Sequence, residues 1–594
     1  MHLARRMFAL IAPLVLVPAV LAAQTYPSTT DPRSGLKPGR FDAGTAAENM
    51  RLVSFSPKPA AFDTARGLTF INSDLAFSNK YVYQGNFAGF TVWDVSNPVA
   101  PKTVAVVSCI TAQADPSVYG NLLFISAEGR GNRNDCAKGG VQDPKDHMAG
   151  VRIYDVSNPA APRLIKNVQT CKGSHTHTIV PDPRDKGVIY IYVSGNQEAR
   201  PATELAGCNN GTDPADVNNS LYRLDVIRVP LAHPEQSEVV TGARIFTGLG
   251  AAPRAAGRPS RARPAGEEPA PPTGPRNCHD VTAYPAMNLL AGACASYGLL
   301  VDISNPLKPI RLDAVSDTNF SLWHTAVFSN DGKQVVFTDE WGGGTGPMCQ
   351  ATSMMEMGGN TTLTIDSKRK LTQHAYFKIP TAQSAQENCV SHNGGLIPVP
   401  GRDIMAQGWY QGGVNVIDFT DPDHPKELAY FDRGPIDAAP TAPEGDRGTR
   451  GTIGGSWGAY WWNGLIYSSE LDRGFDIYEL TPSDQLSANE IAAAKLVHLE
   501  QYNPQSQPHI VWPAAFPVVR SYLDQLVRGN GLATERTTAI AKALDAAEKQ
   551  NGSQRRAALQ TLAAQVNKDV NGAHDQARVK SMAAAITALA KATE

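Results

Sequence analysis

The sequence predicts an all-β fold: a seven-bladed β-propeller closed by an N-terminal strand and followed by a C-terminal α-helical extension. Three observations predict it. A strand ending in one fixed turn recurs as Val92-Trp-Asp-Val-Ser-Asn-Pro, Val151-Arg-Ile-Tyr-Asp-Val-Ser-Asn-Pro, Leu300-Val-Asp-Ile-Ser-Asn-Pro and Val416-Ile-Asp-Phe-Thr-Asp-Pro. A rhythm of four short strands repeats from 74 to 108 and again from about 111, 176, 279, 323 and 391. The last unit, from Gly458 to Leu480, has three strands, and the strand Asn49–Ser56 has no unit of its own.

The turn has a local cause. Asp and Asn side chains bond the backbone ahead of them, Ser and Thr do so more weakly, and Pro fixes φ while removing a donor. A strand must stop at the Asn-Pro step, and the apolar run after the second Pro begins the next one. Repetition at one local position assigns Asp94, Asp155, Asp302 and Asp418 to turn capping rather than catalysis. With one N-terminal strand completing the last unit, the ring has no exposed sheet edge.

The expected organisation is a signal peptide at 1–23, a flexible lead-in at 24–48, the propeller at 49–482 and a helical segment or bundle at 483–594. Residues 24–48 are polar with Pro and Gly. Residues 248–276 are rich in Pro, Ala, Gly and Arg and cannot build a core, so a disordered loop is expected there, and a second polar loop at 437–452. Val518–Val527, Thr534–Lys549, Gln554–Val566 and Ala577–Lys591 have helical periodicity. That bundle is expected to fold by itself behind the propeller.

Bulk properties narrow the function classes. A net charge of −2 over 594 residues makes no case for nucleic-acid binding. Arg5 and Arg6, the apolar run Phe8–Leu21 and Ala22-Ala23 have the form of a secretory signal. No later stretch is long and apolar enough to cross a bilayer. The expected location is therefore periplasmic, extracellular or cell-surface. An even count of eight cysteines in an oxidising compartment favours disulfides, and no Cys-x-x-Cys pair exists. There is no His-Glu-x-x-His and no phosphate loop.

Any chemistry should lie where the first strand of each unit begins, since first strands line the channel. Four consecutive units place His177, His279, His324 and His392 there, out of 13 histidines in the chain. Four imidazoles around an axis suit iron, copper or zinc. His175 shares a strand face with His177 and could substitute for it or add to the set. A packing role, with each histidine bonding a neighbouring backbone or Asp, suits the same residues, and Asp280 beside His279 fits it. The cysteines map to the same face, and sequential pairing is the simplest connectivity: Cys109–Cys136, Cys171–Cys208, Cys278–Cys294, Cys349–Cys389. Glu128, Glu340 and Glu470 end second strands on that face, as outer partners of the histidines, a calcium site, or solvated carboxylates.

Ile153-Tyr-Asp-Val-Ser-Asn-Pro and Leu300-Val-Asp-Ile-Ser-Asn-Pro resemble the LVIVD-repeat family of exported propellers, a resemblance that implies fold and no chemistry. In architecture and strand-start histidines the chain more distantly resembles the selenium-binding-protein group, which includes methanethiol oxidases. That likeness implies a metal in the central channel. The arrangement is also similar to that of the carotenoid oxygenases, which hold iron with four channel histidines. Two functions follow. The first is an interaction scaffold binding a protein or glycan through its loop-rich, disulfide-bearing face. The alternative is a metal-dependent oxidoreductase using the four histidines. No catalytic residue, oligomeric state or certain cofactor can be read from the sequence.

Overall fold

The computed structural model describes residues 26–64, 68–129, 131–211, 213, 215–253, 274–437 and 453–593. The signal at 1–23, most of the 248–276 loop and residues 438–452 lie outside the described residues. The fold is a propeller followed by helices. Four sheets have four strands each, spanning 116–169, 176–243, 281–315 and 323–377. A fifth spans 72–108 and gains the short strand Gln501–Tyr502. The sixth has nine strands, because two four-strand units meet where Asn393 and Gly394 bridge Gly458 and Ala459 in parallel, and Thr45–Glu48 adds an edge strand.

Each first strand touches the next one along the chain, and Ser456–Trp462 touches Asn72–Ser78 in turn. First strands are buried throughout, as in Asn72–Ser78 and Val281–Tyr284, while the fourth strands Lys102–Ser108 and Ile310–Val315 are half-exposed. The core therefore lies between neighbouring sheets, and the chain's β-branched and aromatic residues concentrate there.

The repeated turn behaves as its chemistry predicts. Ser96, Ser157, Ser304 and Thr420 donate their backbone N–H groups to Asp94, Asp155, Asp302 and Asp418 over 2.7–3.0 Å. The next residue reaches back to the turn between strands one and two, as Val156 N to Asn121 O at 2.9 Å. Just before each turn, strands three and four slip register by a bulge, for example between Leu300 and Val301. The pair formed by Met50–Pro57 and Gly474–Leu480 has the same slip, between Leu52 and Ser54.

The expectation of a flexible lead-in does not hold for residues 26–48. Thr45–Glu48 pairs with Lys426–Arg433 on one half of the nine-stranded sheet, and Met50–Pro57 pairs with Gly474–Leu480 on the other. Further upstream, Arg33 is 1% exposed. It makes forked bonds of 2.8–2.9 Å to both Asp31 and Glu427, and its guanidinium stacks 3.8 Å from the Tyr430 ring centre. Composition could not show this, because Glu427 and Tyr430 lie almost the whole propeller away from Arg33. The corner between the two strands is Asn49, left-handed at φ 54°, which donates its amide to Leu428 O at 2.9 Å. Asn49→Val should cost about 1–2 kcal/mol of backbone strain and Asn49→Gly much less. Urea unfolding of the two variants measures the difference.

The C-terminal region is helical: α1 (Ala488–Lys495), α2 (Phe516–Arg528), α3 (Thr534–Glu548), α4 (Gly552–Asp569) and α5 (Gln576–Ala592). Helices α2–α5 share their own apolar core, from Val519 and Leu523 to Ile586 and Leu589. They do not simply hang behind the propeller. Helix α1 opens with a Ser487/Glu490 capping box, and Ile491 and Ala494 pack into the core of the nine-stranded sheet. Buried Glu490 pairs with Arg402 of the propeller and Arg528 of α2 at 2.8 and 2.7 Å.

Between α1 and α2 the chain crosses the channel mouth remote from the histidines. Three side-chain amides there act as strand edges. Gln501, Asn503 and Gln507 each accept a backbone N–H and donate to the same residue's C=O, at Gly120, Val118 and Phe328 respectively, over 2.7–3.0 Å. Ser506 bonds Ile179 O, Ala283 bonds both Gln505 and Gln507, and Trp512 bonds Pro398 O. Counting the pairing of Gln501–Tyr502 with Phe77 and Ser78, this strap ties all six sheets across that mouth.

Candidate metal centre

All eight cysteines pair in sequence order, as Cys109–Cys136, Cys171–Cys208, Cys278–Cys294 and Cys349–Cys389. They close loops of 16 to 40 residues at the strand ends that carry the histidines. Such loop lengths give about 3–4 kcal/mol each in the chain-entropy account.

At the same end four imidazoles stand in an arc. Ring centres are 4.2 Å apart for His175 and His279, 4.0 Å for His279 and His324, and 4.1 Å for His324 and His392. His324 lies within the strand Trp323–Phe328, and the other three immediately precede or lie close to first strands. Backbone bonds hold these starts in place, among them His175 N to Ser194 O at 2.7 Å and Asp280 N to His324 O at 3.0 Å.

The arc holds three of the four histidines expected in the ring, with His175 in place of His177. His177 lies two residues further along the same strand, where its Nδ1 bonds Ser126 Oγ at 2.8 Å and its ring meets Phe124. Burial pushes it down to about 3. Alternation places both residues on one face. Only the height at which the strand enters the channel distinguishes them.

Three arc histidines have fixed tautomers. A carboxylate or carbonyl oxygen can only accept, so the ring nitrogen against it carries the hydrogen. His175 Nδ1–H donates to Glu128 Oε2 at 2.7 Å, His279 Nδ1–H to Asp280 Oδ1 at 3.0 Å, and His392 Nδ1–H to Trp457 O. Their Nε2 lone pairs are thereby left to the arc. With both rings neutral, His175 Nε2 and His279 Nε2 would be two acceptors facing each other at 2.7 Å, so a proton or a metal ion must stand between them. His324 Nε2 and His392 Nε2 are buried without a hydrogen-bond partner. Glu340 stands among them, with Oε2 at 3.6 Å from His279 and 3.9 Å from His324, and Oε1 at 3.7 Å from His392. The ligand atoms of His279, His324 and Glu340 lie within 4.8 Å of one another, as in no other group of three among the described residues.

The field of the site follows from burial and these contacts. Burial opposes charge on His175, yet the Glu128 carboxylate lifts it to about 9. Burial lowers His392 to about 3, and lowers His324 well below the usual range with the other imidazoles adding to it. Glu340 is raised by burial against the pull of His279 and of Tyr410, whose hydroxyl donates to Oε1. Glu128 and Asp280 are held low despite burial by His175 and His279 respectively.

None of the three strand-end acids is a solvated carboxylate. Glu128 orients His175, Glu340 enters the arc, and Glu470 lies elsewhere, paired with Arg473 at 3.0 Å. Asp280 is an outer partner of an arc histidine. Tyr410 lies outside the expected site, two residues past the second strand Ile404–Gly408 of its unit, whereas Glu128 and Glu340 follow theirs by one. Trp341, Met348, Val390, Tyr410 and Trp457 form an apolar wall beside His392.

Residues 72–108 and 146–170 match the LVIVD repeat family. These two stretches of the chain thus carry LVIVD repeats. No curated protein matches it. Similar solved structures include the periplasmic gluconolactonase of Pseudomonas aeruginosa, at 11% identity over 69% of this chain and 96% of that one, with a TM-score of 0.38. Hydrazine synthase of Kuenenia stuttgartiensis matches at 14% identity over 58% and 76%, with a TM-score of 0.34. A protein from Lactobacillus plantarum matches at 10% over 61% and 82%, with a TM-score of 0.37. At these scores none of the three bears on what this chain does. No helix among the described residues is long and apolar enough to cross a membrane.

Proposed function

We propose that this chain is an exported seven-bladed propeller whose channel holds a transition metal, and that it is a metal-dependent oxidoreductase. The observation that carries this reading is the convergence of the Nε2 atoms of His279, His324 and His392 on the Glu340 carboxylate, with His175 Nε2 against His279 Nε2 and outer partners turning three of the lone pairs inward. Two Nε2 acceptors facing at 2.7 Å repel unless a cation joins them. A shared proton would satisfy His175 and His279 alone. A metal also accounts for the buried, unpartnered Nε2 atoms of His324 and His392. Ligand histidines characteristically donate their other N–H to a carboxylate or carbonyl, as His175, His279 and His392 do.

His175, His279, His324 and His392 would hold the ion through Nε2, and Glu340 would supply the anionic donor. Five donors exceed the four of structural zinc, and imidazoles suit iron and copper. When bound, such an ion supplies electron transfer. Glu128, Asp280 and the Trp457 carbonyl keep the imidazoles oriented through Nδ1. The cycle of touching first strands and the bulge shared by Met50–Pro57 support seven blades with N-terminal closure. The four disulfides and the form of residues 1–23 support export.

The test is elemental analysis and electron paramagnetic resonance of protein exported from cells supplied with iron, copper and zinc. About one iron or copper per chain is expected. Zinc alone would remove the oxidoreductase reading and leave the metal centre. A metal-free protein that also takes up none of the three on titration would overturn both. The disulfide-tied loops around the same mouth favour a second reading, a scaffold for a protein or glycan. Partner capture that persists without the metal would assign the function to those loops.

A further inference from the structure

Glu340 has two oxygens and a neighbour that treats them differently. The Tyr410 hydroxyl donates to Oε1, which also stands 3.7 Å from His392 Nε2, while Oε2 faces His279 and His324 at 3.6 and 3.9 Å. Tyr410 is placed at some cost. Its backbone is left-handed at φ 51°, a conformation uncommon for an aromatic residue and one that stores strain of about 1–3 kcal/mol. Paired backbone bonds hold it there, Tyr410 N to Ser456 O at 3.0 Å and Ser456 N to Tyr410 O at 2.8 Å. Two glycines make room. A Cβ on Gly344 would stand 2.3 Å from the Tyr410 hydroxyl oxygen and ring, and one on Gly455 would stand 1.9 Å from its carbonyl carbon. The ring packs 4.6 Å from His392 and 6.5 Å from Trp457, centre to centre. Strain, two glycines and an aromatic cage thus deliver one hydroxyl to one carboxylate oxygen.

We propose that Tyr410 is the positioning residue that makes Glu340 a one-oxygen ligand, occupying Oε1 so that only Oε2 reaches the metal. This rests on the metal-centre reading above. Its consequence is an open coordination position that a two-oxygen Glu340 would fill. A hydroxyl of pure structural use would leave the ligand field unchanged when removed.

The experiment uses the full-length chain, Co(II) and Cu(II) as probe ions, and the variants Tyr410→Phe and Gly344→Ala. Tyr410→Phe removes only the hydroxyl. Gly344→Ala keeps it but drives the ring away from Glu340. Both should weaken binding about 10–100-fold. Both should also lower the intensity of the Co(II) visible bands as the second oxygen enters. Wild-type affinity within about twofold and an unchanged Co(II) spectrum in Tyr410→Phe would overturn the assignment while the metal centre stands. Where Tyr410→Phe does not fold, the same spectral comparison on Gly344→Ala decides. A wild type that binds neither ion overturns the metal centre itself.

Discussion

Replacing His279 and His324 together by alanine empties the centre. Two of the four imidazoles go, and with them the members that lie closest to Glu340 Oε2. Loss of a single outer partner typically costs 10–100-fold in metal affinity, so removal of two direct donors should cost more than about 100-fold. Elemental analysis should find at most a tenth of the wild-type metal, while circular dichroism keeps the β signature, because strand pairing and the four disulfides hold the sheets without these rings. His177→Ala is the informative control. Its imidazole bonds Ser126 and touches Phe124, outside the arc. Metal content should therefore stay at the wild-type level in His177→Ala and fall in His175→Ala. The opposite outcome would place His177 in the ring.

Asn503→Ala combined with Gln507→Ala should unfold at markedly lower urea. Each amide satisfies one N–H and one C=O on a buried first strand, at Val118 and Phe328. Truncating both orphans four backbone groups, each worth about 1–3 kcal/mol when buried and unpaired. The loss should exceed roughly 4 kcal/mol at equal metal loading. Asn503→Asp keeps an acceptor for Val118 N–H but sets a carboxylate oxygen against Val118 O, so it should be no more stable than Asn503→Ala. A double variant within about 0.5 kcal/mol of wild type would mean the strap adds nothing to the ring, the range typical of neutral surface changes.

The strap also shows why some of the site could not be read in advance. Gln501–Gln507 reads as a polar connector, since an amide side chain announces no partner. It becomes structural only against a strand that presents one free N–H and one free C=O. The histidines were three-quarters legible because first strands open in the same way in every unit. The register was not, because His175 and His177 share a face and differ only in depth. Glu340 and Tyr410 follow second strands in different units, and their bond forms only once the two sheets stand side by side. Arg33 is a similar case, with Glu427 394 residues away.

What the sequence determined by itself is local and repeated. The Asp-x-Ser-Asn-Pro turn, the four-strand period, the missing strand of the last unit and the order of disulfides all depend on residues near one another in the chain. Their chemistry is complete within a hairpin or a loop. Tertiary structure decided what depends on distance: which histidine enters the arc, which carboxylate stands inside it, what crosses the far mouth, and that the lead-in is anchored. A lone pair becomes a ligand, and an amide a strand edge, only when a distant part of the chain comes within about 3 Å, the reach of a hydrogen bond or a coordinate bond.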